Sequence, residues 1–84
     1  MKNDDLKAIE LFAWVGEDEL GSGEIGLKQA VVPAGIIPIV ATKQHKVGQD
    51  YIRKQMDAQG KAFGKRIVLC RFKFDGVVEE VGSK

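Results

Sequence analysis

Three glycines in the stretch ELGSGEIGLKQ (residues 19–29) have the spacing G-x-G-x-x-G, which occurs in loops that bind phosphate groups. The candidate phosphate loop consists of Gly21, Ser22, Gly23 and Gly26. In dinucleotide-binding folds this loop opens a helix, whose amide groups hold the pyrophosphate. Here the residues after Gly26 are predicted to form a strand, so the context excludes that fold. The pattern favours a flexible hairpin loop, since glycine tolerates positive φ.

The order of the segments resembles that of the amino-terminal lobe of protein kinases, in which a glycine-rich loop joins two strands and a later lysine precedes a helix. GSGEIG is followed by two candidate strands, by IVATK ending at Lys43, and by a helical pattern, so the resemblance spans residues 11–74. Lys28 stands where that family has a valine, and the sequence has no H-R-D or D-F-G motif. Kinase catalysis is excluded, and nucleotide or phosphate binding at the loop stays a second alternative.

Positive charge is concentrated towards the second half of the chain. The formal net charge is +1, yet residues 1–25 hold two basic and seven acidic residues, whereas residues 26–84 hold eleven and five. A basic stripe can follow the phosphates of a nucleic acid, and an exposed Trp14 or Phe12 could stack on a base. Nucleic-acid binding is therefore the first alternative function. The candidate polyanion-binding residues are Lys43, Lys46, Arg53, Lys54, Lys61, Lys65, Arg66, Arg71 and Lys73.

Other reactive side chains are few. Cys70 is the one cysteine and His45 the one histidine, too few nitrogen and sulfur ligands for a zinc site and too few thiols for an internal disulfide. The acids Glu17, Asp18, Glu19 and Glu24 match no calcium-loop spacing and are expected to be solvated. We expect no metal, no cofactor and no catalytic constellation, and hence a protein that is not an enzyme.

The elements that position these residues follow from the hydrophobic periodicity. KAIELFAWV (residues 7–15) alternates and is apolar on both faces, which predicts a central first strand. Residues 25–32 and 36–42 are predicted to be the second and third strands. Pro38 places the third strand at a sheet edge or at a bulge, because proline cannot donate a ladder hydrogen bond.

The period then changes from two to 3.6 residues. Residues 48–63 are predicted to form one amphipathic helix that ends at the cap Gly64. KRIVLCRFKF (residues 65–74) is predicted to be the fourth strand, with a possible short fifth strand over residues 77–81. The fold class is therefore a small α+β domain, a mostly antiparallel sheet of four or five strands in the order β-β-β-α-β with one helix on one face.

Eighty-four residues predict a single domain over 1–84, with irregular ends at 1–6 and 82–84. One helix can cover one face of the sheet, so the second apolar face of the first strand calls for a partner chain. The predicted function is a small non-catalytic protein–protein interaction or self-associating module, with Phe12 and Trp14 as candidate interface anchors. No secretory signal or membrane-spanning stretch is visible, which predicts a cytoplasmic protein without a membrane partner.

Overall fold

The structure, a computed structural model, describes residues 2–17 and 23–82. Within these ranges a mostly antiparallel sheet carries short and long helices, consistent with the predicted small α+β domain. In chain order the elements are α1 Asn3–Lys7, β1 Glu10–Glu17, β2 Ile25–Leu27, β3 Gln29–Val32, β4 Gly35–Pro38, β5 Val40–Ala41, α2 Gln44–Val47, α3 Asp50–Phe63 and β6 Ile67–Lys73.

β1 is the centre of the main sheet. β6 pairs antiparallel with β1 along one edge, from Glu10 opposite Lys73 to Gly16 opposite Ile67. On the other edge β2 pairs with the second half of β1 and β5 with the first half, so these two short strands lie end to end. Between β2 and β5 the chain leaves the main sheet, and β3 and β4 pair with each other as a separate two-stranded hairpin.

The hairpin leaves the sheet at a junction of three residues. The Trp14 amide donates to the Ile39 carbonyl at 3.1 Å, the Ile39 amide to the Lys28 carbonyl at 3.0 Å, and the Lys28 amide to the Trp14 carbonyl at 2.8 Å. Each residue thus gives one donor and one acceptor to a closed ring of backbone hydrogen bonds. The ring satisfies the polar groups of three strands where a regular ladder would leave them unpaired.

The core lies between the sheet and α3. It is formed by the buried side chains of Ala30, Ile39, Val47, Ile52 and Met56, with Phe12, Trp14, Ala41, Ile67 and Leu69 packed against them. α3 presents its residues at helical spacing to this cluster. The helix ends where predicted, at Gly64, which takes the left-handed conformation with φ of 62°.

Several boundaries differ from the sequence-based predictions. The predicted second strand divides at Lys28 into β2 and β3, and the third divides at Ile39 into β4 and β5, because both residues turn their backbone groups to the junction. The helix predicted over residues 48–63 forms as α3 and begins two residues later, at Asp50, whereas the preceding short helix α2 was not predicted. Residues 3–7 form α1 rather than an irregular end, and residues 77–81 form no strand.

Pro38 occupies the position that its chemistry requires. It is the last residue of β4, which is an edge strand, and it lies opposite Gln29. The missing amide proton therefore costs the main sheet no ladder hydrogen bond. The main ladder resumes only at β5, after Ile39.

Candidate functional site

The two faces of the main sheet have opposite surroundings. The even-numbered residues of β1 and the odd-numbered residues of β6 point towards α2 and α3. Side chains alternate along a strand, so the remaining residues point to the opposite face. This is the division between faces that the alternating sequence predicts.

The face away from the helices is apolar across four strands, and we call it the open face. Its central cross-strand pairs are Leu11 with Phe72, Ala13 with Cys70, and Val15 with Val68, all on β1 and β6. The flanking strands extend it with aliphatic side chains. The apolar residues of the open face are Leu11, Ala13, Val15, Ile25, Leu27, Val40, Val68, Cys70 and Phe72, and the charged Glu17 lies at its end, opposite Ile25.

Large side chains on the open face are exposed to solvent. Leu11 is 41% exposed, Phe72 is 46% exposed and Leu27 is 51% exposed. Ala13 is buried at the centre, between larger neighbours on the adjacent strands. Large contiguous apolar patches are uncommon on the surfaces of soluble monomers.

The exposed surface area of the chain is larger than that of a compact monomer of the same mass. The chain exposes 6728 Å², about 1,800 Å² more than the roughly 4,900 Å² expected for a folded monomer of its mass. Its radius of gyration is 15.0 Å, against about 12 Å for a compact domain of this length.

Phe12 and Trp14, the candidate interface anchors, lie on the helix-covered face. Both are half-buried against the core. The Trp14 indole Nε1 donates to the Val47 carbonyl oxygen at 2.8 Å, which fixes the ring against α2. The two aromatic side chains therefore pack against the core of the monomer, whereas Leu11 is the exposed large apolar residue of β1.

A groove of about 450 Å³ runs between α3 and the start of β6, and we call it the basic groove. Trp14, Met56 and Ile67 supply its apolar lining, and Gly60 keeps the helix close to the strand. A Cβ atom at Gly60 would lie 3.1 Å from the Lys65 carbonyl oxygen, so the close approach depends on glycine. The sequence thus brings Trp14 and the C-terminal half of α3 to one surface.

Four of the nine predicted polyanion-binding residues line the basic groove. These are Arg53, Lys61, Lys65 and Arg66, against one lining acid, Asp57. Lys61 pairs with Asp57 at 2.9 Å and Lys65 with Glu17 at 2.9 Å, and all four side chains in these pairs are well exposed. Such exposed pairs contribute about 0–1 kcal/mol each, so their cations remain able to exchange partners.

The other five predicted basic residues lie outside the basic groove. Lys43 and Lys46 are at α2, and Lys54 is exposed on α3. Arg71 and Lys73 lie further along β6, on the same face as the basic groove. The Arg71 guanidinium carbon lies 5.6 Å from the centre of the Phe12 ring, and its Nε lies 3.6 Å from Glu10 Oε2.

Of the candidate phosphate loop, the structure describes Gly23 and Gly26, and Gly26 lies far from Lys43 along β1. Gly21 and Ser22 lie outside the described residues, and Gly23 has a φ of 81°. Gly26 lies in β2 opposite Gly16, whereas Lys43 follows β5 at the other end of β1. Six strand residues separate those two levels, or about 20 Å. A clamp on one phosphate by Gly26 and Lys43 is incompatible with this separation.

A second cavity, of about 550 Å³, borders Gly26. It is lined by apolar side chains such as Val31, Ile36 and Phe63, and by Lys28, Glu17 and Glu24. Two acidic residues against one basic residue make this cavity unfavourable for a phosphate group. The basic groove has the more positively charged lining, although it is the smaller cavity.

Among residues 2–17 and 23–82, no group of three or more His, Cys, Asp or Glu side chains is placed to hold a metal ion. Within the same ranges, no helix has the length and apolar character needed to cross a membrane. His45 is exposed on α2, and Cys70 is a half-buried free thiol on the open face.

Comparison with known proteins gives no relative from which to transfer a function. No family model matches the sequence, no curated protein matches it, and no solved structure matches the fold.

Proposed function

We propose that this protein is a self-associating module whose open face packs against the open face of a second copy. The observation that carries the proposal is the run of apolar cross-strand pairs from Leu11–Phe72 to Val15–Val68, on the side of the sheet away from α2 and α3. Burying such a surface is favourable in proportion to the apolar area that is removed from water.

A second copy fits this surface better than an unlike partner. The central pairs are uncharged, so the face lacks the charge pattern by which proteins select a different protein. Two identical sheets can pack face to face about a two-fold axis, with the inner side chains interdigitating in a layer about 10 Å thick.

Sedimentation equilibrium over a range of concentrations tests the proposal. The wild-type chain is expected to approach twice its 9.2 kDa mass as its concentration rises. The double variant Leu11→Lys with Phe72→Glu should stay monomeric, because it places two charges on the open face. These side chains lie directly opposite each other, so the new cross-strand ion pair supports the sheet.

A matched control uses a second exposed apolar pair. Val31 and Ile36 lie opposite each other on the β3–β4 hairpin, and they are 66% and 67% exposed. The variant Val31→Lys with Ile36→Glu should associate as the wild-type chain does. A wild-type chain that stays monomeric throughout, or a control that loses association as fully as the open-face variant, would contradict the proposal. Circular dichroism confirms that both variants are folded.

A further inference from the structure

The basic groove lies on the opposite side of the sheet from the open face, so a ligand bound there does not compete with self-association. Its four cations outnumber the one lining acid, and they flank an apolar lining that includes the half-buried Trp14. A surface that combines positive charge with an aromatic ring is the combination that binds single-stranded nucleic acid.

We propose that the basic groove binds single-stranded nucleic acid, with its phosphates along the rim and a base against Trp14. Positive charge extends beyond the basic groove along the same face of β6. Arg66 and Lys65 lie at the start of β6, and Arg71 and Lys73 continue on the same face towards its end. Residues 67–73 span about 20 Å, so the positive charge follows a path suited to a polymer backbone.

The environment of Trp14 also defines the mode of recognition. Its single donor, Nε1, is already bonded to the Val47 carbonyl oxygen at 2.8 Å. The ring therefore offers the groove carbon surface for stacking and no free hydrogen-bonding group. Every base has a π-face, so this arrangement binds with little preference for base sequence.

The partners of the groove cations do not prevent binding. Lys61 and Lys65 are in exposed ion pairs, which phosphate groups can replace at little cost. Arg53 uses Nε for the Gly48 carbonyl oxygen at 2.7 Å, which leaves its terminal nitrogens for a phosphate. Within the described ranges no carboxylate forms an ion pair with Arg66.

The experiment titrates the full chain with an oligothymidylate and follows both oligonucleotide anisotropy and the fluorescence of Trp14, the one tryptophan in the sequence. Quenching of Trp14 should accompany binding. Four phosphate contacts on a single strand predict an affinity that falls about 50-fold between about 50 mM and about 200 mM salt. An oligoadenylate should bind within about threefold of the oligothymidylate.

Charge-reversal variants locate the site. Lys61→Glu with Arg66→Glu should weaken binding at least about tenfold and lower the salt dependence. Lys43→Glu with Lys46→Glu makes the same change of net charge at α2, outside the basic groove, and should weaken binding less than about threefold. All four side chains lie at the surface, so thermal unfolding midpoints close to that of the wild-type chain will show that the variants are folded.

The proposal would be overturned by no binding of either oligonucleotide at the lower salt concentration, by equal losses in the two double variants, or by binding without any change in Trp14 fluorescence. Polyglutamate serves as the competing anion without bases. Equal affinity for polyglutamate would also overturn it, because the surface would then recognise negative charge alone.

Discussion

The side-chain amide of Gln55 pairs with the backbone of Val31 in both directions. Gln55 Nε2 donates to the Val31 carbonyl oxygen at 2.8 Å, and the Val31 amide donates to Gln55 Oε1 at 3.0 Å. Gln59 Nε2 adds a bond to the Gln29 carbonyl oxygen at 3.0 Å. α3 thus holds the outer edge of β3 as a neighbouring strand would, and this support matters because an isolated two-stranded hairpin is marginally stable.

The first prediction concerns this amide pairing. Gln55→Leu should lower the free energy of unfolding by about 1–2 kcal/mol, because it removes two hydrogen bonds at an exposed edge. Gln55→Glu should have an intermediate effect, since its carboxylate can still accept from the Val31 amide but cannot donate to the carbonyl. Urea denaturation measures both values. Lys54→Leu, on an exposed position of α3, serves as the control, and a loss there as large as in Gln55→Leu would contradict the assignment.

The second prediction concerns the bond between Trp14 and Val47. Trp14→Phe keeps an aromatic ring but leaves the Val47 carbonyl oxygen without its indole donor, so we expect a loss of about 2–3 kcal/mol. Urea unfolding followed by far-ultraviolet circular dichroism provides the measurement. Tyr51→Phe, which changes an exposed aromatic residue on α3, should stay within about 0.5 kcal/mol of the wild-type chain. Similar losses of stability in the two variants would show that the hydrogen bond from the indole does not account for the loss.

The third prediction concerns the end of α3. Gly64 has a φ of 62°, and no neighbouring side chain or backbone atom lies within 4 Å of the point that a Cβ atom would occupy there, so alanine fits in space but not in conformation. Gly64→Ala should therefore cost about 1–2 kcal/mol of stability. Gly76 also has open space around it but lies outside the positive-φ region. Gly76→Ala should leave the stability nearly unchanged. Thermal unfolding measures both variants, and equal losses of stability would argue against the conformational explanation.

Local sequence patterns predict the parts of the fold that depend on local physics. Alternation along β1 correctly places Leu11, Ala13 and Val15 on one face of that strand. Along β6 it correctly places Val68, Cys70 and Phe72 together on one face. The end of α3 at Gly64 follows from the preference of glycine for the left-handed cap. The α+β class follows from the change of period between the strands and the helix.

The remaining features depend on contacts between distant residues. Strands divide at Lys28 and Ile39 because both bond to Trp14, and the nearest local signal is Pro38, one residue before the second break. Alternation shows that β1 has two apolar faces, but it cannot show which face the helices cover. That choice involves Trp14 and Val47, which are 33 residues apart, and it explains why Phe12 and Trp14 of β1 pack against the core while Leu11 is exposed.

The positions of the basic residues also depend on contacts between distant parts of the chain. Helical spacing suggests that Lys46, Arg53, Lys54 and Lys61 share one face of a continuous helix. The break at Gly48 separates Lys46 from α3, and the basic groove instead combines Arg53 and Lys61 with Lys65 and Arg66 beyond the helix. A groove between a helix and a strand has no signature in the periodicity of either element.

The most direct test of the central claim is the rate at which a thiol reagent modifies Cys70, measured as the protein concentration is raised at constant pH. Cys70 is the one thiol in the chain, and it lies opposite Ala13 in the middle of the open face. If a second copy covers that face, the rate falls as the chains associate, while the rate for the variant Leu11→Lys with Phe72→Glu stays constant. A Cys70 that reacts at one rate throughout, in a chain that sediments as a dimer, would show that another surface joins the copies.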